Sequence, residues 1–282
     1  MKLAQIRNSD GSLTAAIVEK DGLRLVEGHS LADLVRLTEQ DGEVLAAIAK
    51  TKASSKVVQG ELAIPITPSE VWACGCTYAP SAEFRDTELG AGEGPYAYVS
   101  DPKHRPELFF KGTARVCVGP NEPIGIRKDS TFTAPEPELA VLLDSQGTVL
   151  GYTLGNDVSA WDIERENSLY LPQSKVFDGC CALGPYLVTA DEIPDPYSLR
   201  MSCTIRRGGR TTFEGNATVG QLRRKIEELV AYLVRSNSVP SSVVLLTGTG
   251  IIVTQEAALA AGDVVTIEVP EIGTLANPAE TV

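Results

Sequence analysis

Residues 135–157 read PEPELAVLLDSQGTVLGYTLGND. The stretch predicts two apolar strands, with Glu136 and Glu138 at the start of the first and Asp157 at the end of the second. Side chains two apart on a strand share a face, so Glu136 and Glu138 converge on one point. Three carboxylates brought together repel and take up protons unless a divalent ion satisfies them. Oxygen-only ligation suits Mg²⁺, Mn²⁺ or Ca²⁺ better than zinc. Taken alone, a Glu-x-Glu pair also fits a solvent-facing edge strand, so the company it keeps decides between the two.

Outward from this stretch, short strand-like segments dominate: VWACG, LFFKG, LGPYLVT, LRMSCTIRRG, SVVLLTGTG and DVVTIEVP, most of them separated by prolines or turn dipeptides. That spacing predicts a sheet-rich α+β chain, a sandwich or a rolled barrel, without repeated strand-helix-strand crossovers. One helix is expected over 219–236, capped by Thr218, with Leu222, Ile226, Leu229, Val230 and Leu233 as its apolar stripe. Residues 1–68 read as a small N-terminal α+β domain, with a hairpin at Asp10-Gly11, a helix capped by Ser30 and a second short helix opened by Gly42-Glu43. Residues 69–282 form the larger, catalytic domain. Glycines between 90 and 94 suggest a flexible lid.

At 282 residues the chain can bury a sizeable core without staples. Its net charge of −12 disfavours nucleic acid and anionic membranes, which need a basic face, but allows a small anionic substrate bound locally. The N-terminus has no signal-like apolar core and no run approaches the ~18 residues of a membrane span, so a cytoplasmic protein is expected. Six irregularly spaced cysteines form neither a disulfide framework nor a zinc knuckle. His29 and His104, the two histidines, exclude a histidine-rich metal site.

The densest polar signal after the carboxylates is GNDVSAWDIERENSLYLPQSKVFDGCCALGP, residues 155–185. Lys175 stands there between Gln173 and Phe177. In an apolar or cation-bearing pocket its ammonium form is disfavoured, which makes it a candidate base; a surface lysine before the Asp178-Gly179 turn is the other reading.

E-x-E, GNDVSA-D, LPQSK-F-D, LLTGTG and AAGDVVTIEVPEIGTLANP, in that order from about Val71 to Pro278, resemble the fumarylacetoacetate hydrolase superfamily. The resemblance implies a mixed β-roll or sandwich core with a smaller N-terminal domain, and a homodimer or homotetramer. It places Mg²⁺ or Mn²⁺ on Glu136, Glu138 and Asp157, the active-site lysine on Lys175, and the Gly-Thr element that meets the substrate carboxylate on Gly248 and Thr249.

Hydrolytic members that cleave acylpyruvates carry Asn-Tyr-x-x-His-x-x-Glu after the first core strand. This chain has Ser81 at the histidine position and Phe84 at the glutamate position of its Thr77-Tyr78 segment. Trp161 stands where the family commonly has arginine. These features look closer to the branch of 2-keto-3-deoxy-pentonate dehydratases. The expected reaction is dehydration of a 2-keto-3-deoxy sugar acid: carboxylate and 2-keto oxygen chelate the metal, C3 becomes acidic, and the C4 hydroxyl leaves as water. Lys175 is the expected base, Glu83, Glu88 or Glu166 the acid, and Tyr78, Ser81, Lys111, Gly248 and Thr249 the substrate contacts. For Lys111 a solvated strand-end lysine is an equal reading. A hydrolase of 2,4-diketo acids, with Glu83, Glu88 or His104 activating water, is the alternative. Decarboxylase or isomerase action shares the same intermediate, and a metabolite-binding protein without turnover is a further alternative.

Overall fold

In the computed structural model, which describes residues 1–88 and 94–282, Pro137–Leu143 and Val149–Asp157 form an antiparallel pair with Glu138 opposite Gly155. The turn between them is tied by the Asp144 carboxylate, which accepts from the backbone N–H groups of Gln146 and Thr148 at 2.9 and 2.7 Å. Every residue of Pro137–Leu143 is buried, and so is all of the longer strand after Val149. Burial on both faces explains why these strands read as continuous apolar runs with no polar alternation.

The pair lies inside an 11-stranded sheet. On one side follow Cys181–Thr189, then Lys2–Arg7, Leu13–Glu19, Gly22–Val26 and the two-residue edge Val57–Val58. On the other follow Val243–Leu246, Val71–Gly75 and the edge strand Glu107–Gly112. Cys117–Val118 adds a short parallel pairing to Cys181–Thr189. A second, five-stranded sheet runs Arg210–Thr218, Arg200–Arg207, Val264–Val269, Gly273–Thr281 and Ile124–Ile126. The sheets stay open, so the rolled-barrel form of the expected α+β fold gives way to a sheet-rich layered one.

Alternation along the central strand feeds two cores. Leu139, Val141 and Leu143 pack in one with Ile205, Ile267 and Leu275 of the five-stranded sheet and with Leu229. Ala140 and Leu142 belong to the other, with Leu34 and Ile48 from the N-terminal helices Leu31–Asp41 and Leu45–Lys52. Fully burying one such leucine contributes about 1.5–3 kcal/mol. The N-terminal strands continue the large sheet through the pairing of Lys2 with Val188. Ser30 caps the first helix in a reciprocal box with Asp33, as its sequence position suggests.

The helix expected over 219–236 is shorter. Thr218 caps only a single turn, Val219–Gln221, and the α-helix spans Ile226–Leu233, still burying Ile226, Leu229, Val230 and Leu233. Between them Arg224 is drawn inward to donate to the carbonyls of Val99, Asp101 and His104, a set of contacts that a continuous amphipathic stripe does not anticipate. Among the described residues no helix is long and apolar enough to cross a membrane.

Candidate metal centre and active site

The Glu136–Asp157 end of the central strand pair closes on a cluster of buried charge. Ligand oxygens of Glu136, Glu138 and Asp157 lie within 4.8 Å of one another, and all three residues are buried. The backbone sets this up locally. Asp157 N–H donates to the Glu136 carbonyl at 2.9 Å, and Glu136 N–H donates to Asn156 Oδ1 at 3.0 Å. Gly155, opposite Glu138, lacks the Cβ that would meet Leu246 at 2.5 Å, so the strands stay close beside the carboxylates.

Two lysines and an arginine face the cluster. Lys175 Nζ donates to Glu136 Oε2 and Asp157 Oδ2, each at 3.1 Å, and to Ser159 Oγ at 2.6 Å. Lys111 Nζ donates to the Val158 carbonyl at 2.9 Å and forms an ion pair with Asp157 Oδ1 at 2.5 Å. Arg85 bridges Glu136, at 3.1 Å, and Glu164. Trp161 Nε1 donates to Glu136 Oε1 at 2.5 Å, and the Arg85 guanidinium stands 5.0 Å over the indole. Burial opposes the ammonium of Lys175, but Asp157 and then Glu136 outweigh it and hold the lysine above its ordinary range.

Glu138 differs from its neighbours. The contact that holds it is the N–H of Gly248, 2.5 Å from Oε2, and no cationic side chain pairs with it among the described residues. Burial, then Asp157 and Glu136, push its carboxyl well above the usual range, whereas Lys175 and Arg85 overcome burial to hold Glu136 below it. A buried carboxylate without a counter-charge, beside two more, is the deficit that a hard divalent cation fills. The donor set therefore fits Mg²⁺ or Mn²⁺, as its all-oxygen composition suggests.

A small inner cavity beside the carboxylates is lined by Cys76, Ser81, Glu107, Glu164, Lys175 and Thr249, among others. It shares Glu107, Glu164 and Leu171 with an outer cavity of about 500 Å³ walled by Tyr96 and Val99. Glu107 lies against Gly75, where a Cβ would stand 2.0 Å from its Oε2. Among the described residues no hydrogen bond or ion pair holds that carboxyl, and burial raises its pKa against the pull of Arg85 and Lys175.

Of the expected site residues, Glu136, Glu138, Asp157, Lys175 and Lys111 come together in one cluster, which removes the solvated alternative for both lysines. Ser81 and Thr249 line the inner cavity, Thr249 Oγ1 accepting from Ile251 N–H at 3.1 Å. Gly248 has a φ of +93° and no room for a Cβ beside Thr77, and it contributes its N–H to Glu138. Tyr78 is buried against Gly250 and pairs with Leu222. Glu83 is exposed on Ala79–Glu88, and Glu166 is exposed at the rim of the outer cavity. His104 stacks on Tyr98 with ring centroids 3.6 Å apart. The Glu88 side chain and the proposed lid glycines before Gly94 lie outside the described residues.

Arg85, Glu107 and Glu164 are the site residues that reading the sequence missed. Period and spacing reach each of them from a residue it did single out. Arg85 is one helical turn beyond Ser81, Glu164 is one turn beyond Trp161, and Glu107 opens the strand that carries Lys111.

A family model for the fumarylacetoacetate (FAA) hydrolase C-terminal region matches residues 72–280. The chain is 41% identical over 288 residues to the 2-dehydro-3-deoxy-D-arabinonate dehydratase of Saccharolobus solfataricus, covering 99% of this chain and 96% of that protein. It is 44% identical over 219 residues to a probable 2-keto-3-deoxyxylonate dehydratase of Haloferax volcanii, covering 78% and 75% of the two chains. A solved structure of 2-keto-3-deoxy-D-arabinonate dehydratase complexed with magnesium and 2,5-dioxopentanoate superposes with a TM-score of 0.85 at 39% identity, over 100% of this chain and 99% of that one.

Proposed function

Because the chain belongs to the fumarylacetoacetate hydrolase family, we propose that it is a magnesium-dependent dehydratase converting a 2-keto-3-deoxy-pentonate to 2,5-dioxopentanoate and water. One observation carries the choice of reaction. Among the described residues, the cavity beside the carboxylates is lined by a single carboxyl that no ion pair or hydrogen bond holds, Glu107, and by Ser81 where a water-activating histidine would stand. Hydrolysis of a carbon-carbon bond needs an activated water. Elimination of water needs one group that takes a proton and gives it back.

In this reading Glu136, Glu138 and Asp157 hold the cation. When bound, it withdraws electrons from the carboxylate and 2-keto oxygens of the substrate and so acidifies C3. Lys175 and Lys111 hold Asp157 in place, Lys175 also holds Glu136, and Gly248 N–H fixes Glu138. We assign the base to Glu107 in place of Lys175, whose ammonium is already spent on three acceptors. Glu107 takes the C3 proton and delivers it to the C4 hydroxyl, which leaves as water. Moving a proton from C5 to C3 then gives the C4=C5 enol, and passage of its C5 hydroxyl proton to C4 leaves the aldehyde. A pKa raised by burial suits a carboxyl that must serve as base and then as acid.

Residues 69–282 supply all these groups, and we assign 1–68 the role of a supporting N-terminal domain. A cytoplasmic setting agrees with the six free cysteines. The reading carries with it a homodimer or homotetramer, and sedimentation distinguishes these from a monomer. Product analysis tests the reaction. With Mg²⁺, the purified protein is expected to turn 2-keto-3-deoxy-pentonate into 2,5-dioxopentanoate. Rapid release of pyruvate from acylpyruvates, with the sugar acid untouched, overturns the dehydratase assignment in favour of a hydrolase.

A further inference from the structure

Glu164 has no part in the chemistry just described, yet it is buried on the wall common to the inner and outer cavities. One of its oxygens pairs with Arg85, whose other arm holds Glu136. The second oxygen, Oε2, is buried and has no hydrogen-bond partner among the described residues. A buried carboxylate oxygen left unpaired is costly, and a carboxylate only accepts, so whatever satisfies it must bring a hydrogen. A hydroxyl of the substrate is such a donor.

We propose that Glu164, held by Arg85, is the specificity residue that reads the terminal C5 hydroxyl of the substrate. The proposal rests on the dehydratase reading and extends it to the part of the substrate that the carboxylate cluster cannot see. The geometry sets the order of contacts. The keto-acid end belongs at Glu136, Glu138 and Asp157, and C3 and C4 belong beside Glu107. The Glu164 carboxylate stands one guanidinium away from Glu136, toward the outer cavity, where the end of a five-carbon chain arrives. Trp161 and Tyr96, with ring centroids 5.0 and 5.6 Å from Arg85, keep that guanidinium in place. A site built to pair a hydroxyl rejects the analogue that lacks it far more strongly than an apolar pocket rejects a missing methylene, because its own polar group is then left unpaired.

The test compares 2-keto-3-deoxy-pentonate with its 5-deoxy analogue, 4-hydroxy-2-oxopentanoate, on the Mg²⁺-loaded wild type, Glu164→Ala and Glu164→Gln. Wild type is expected to prefer the hydroxylated compound about 100-fold in kcat/KM. Glu164→Ala is expected to bring that preference below about 3-fold, its loss falling on the hydroxylated compound far more than on the analogue, and Glu164→Gln, which keeps an acceptor oxygen, to retain at least about 10-fold. Equal losses on both compounds mean that Glu164 acts only through Arg85, and an unchanged preference means that it does not touch the hydroxyl; either result overturns the assignment. Calorimetric binding of both compounds makes the same comparison without turnover. Equal affinity of wild type for the two also overturns it. An affinity difference in the wild type that Glu164→Ala abolishes, without dehydration in either protein, counts against the dehydratase reading alone and upholds Glu164 as the hydroxyl reader.

Discussion

Ala140 and Leu142 lie at one end of the Pro137–Leu143 strand, and by two-residue alternation Glu138 and Glu136 continue the same face toward the other end. The first pair packs into a core with Leu34 and Ile48; the second meets Lys175, Arg85 and the N–H of Gly248. Within a few residues one sheet face passes from close-packed hydrocarbon to buried carboxylates, of which Glu138 has no cationic side chain beside it among the described residues. The apolar end holds the fold together, and the charged end spends stability on a cation. Damage at the two ends should therefore look different in kind.

The largest expected effect is at the charged end. Glu107→Gln should lower kcat about 10³-fold, within the range for loss of a general acid-base group, while leaving melting behaviour and Mn²⁺ binding unchanged. A Glu107→Gln enzyme with near-normal turnover would return the proton transfer to Lys175. At the apolar end, Leu142→Ala should cost about 2–5 kcal/mol in denaturant unfolding, and the folded fraction should keep its Mn²⁺ affinity. Loss of metal binding without loss of stability in that variant would break the contrast between the two ends. The smallest effect concerns the support of the site. Trp161→Phe removes the hydrogen bond to Glu136 and should weaken Mn²⁺ binding about 10-fold at nearly constant stability.

The same contrast explains what the amino-acid order revealed. The central strands were legible because burial on both faces leaves an uninterrupted apolar run from Leu139 to Leu143. The carboxylate trio was legible because Glu136 and Glu138 obey a two-residue period and Asp157 ends the adjoining strand. Arg85, Glu107 and Glu164 belong to segments whose local pattern is ordinary; only the tertiary fold carries a helix after the first core strand, an edge strand and a short helix onto one cavity. Glu83 and Glu166 show the same limit from the other side. Each is a carboxylate two residues from the side chain, Arg85 or Glu164, that its own helix turns toward the cavity, and choosing between neighbours requires the helical phase. The helix ahead of Ile226 was overextended because its stripe continues through Leu222, while Arg224 answers to carbonyls more than a hundred residues away.

The claim at the centre is that the charged end exists to hold one divalent cation, with Glu138 as the carboxylate most in need of it. Titration of Mn²⁺ into the wild type and Glu138→Gln, followed by calorimetry and by the electron paramagnetic resonance of the free ion, addresses it without any substrate. The account predicts one tightly bound Mn²⁺ per wild-type chain and none in the folded variant. Equal stoichiometry and affinity in the two proteins would contradict it.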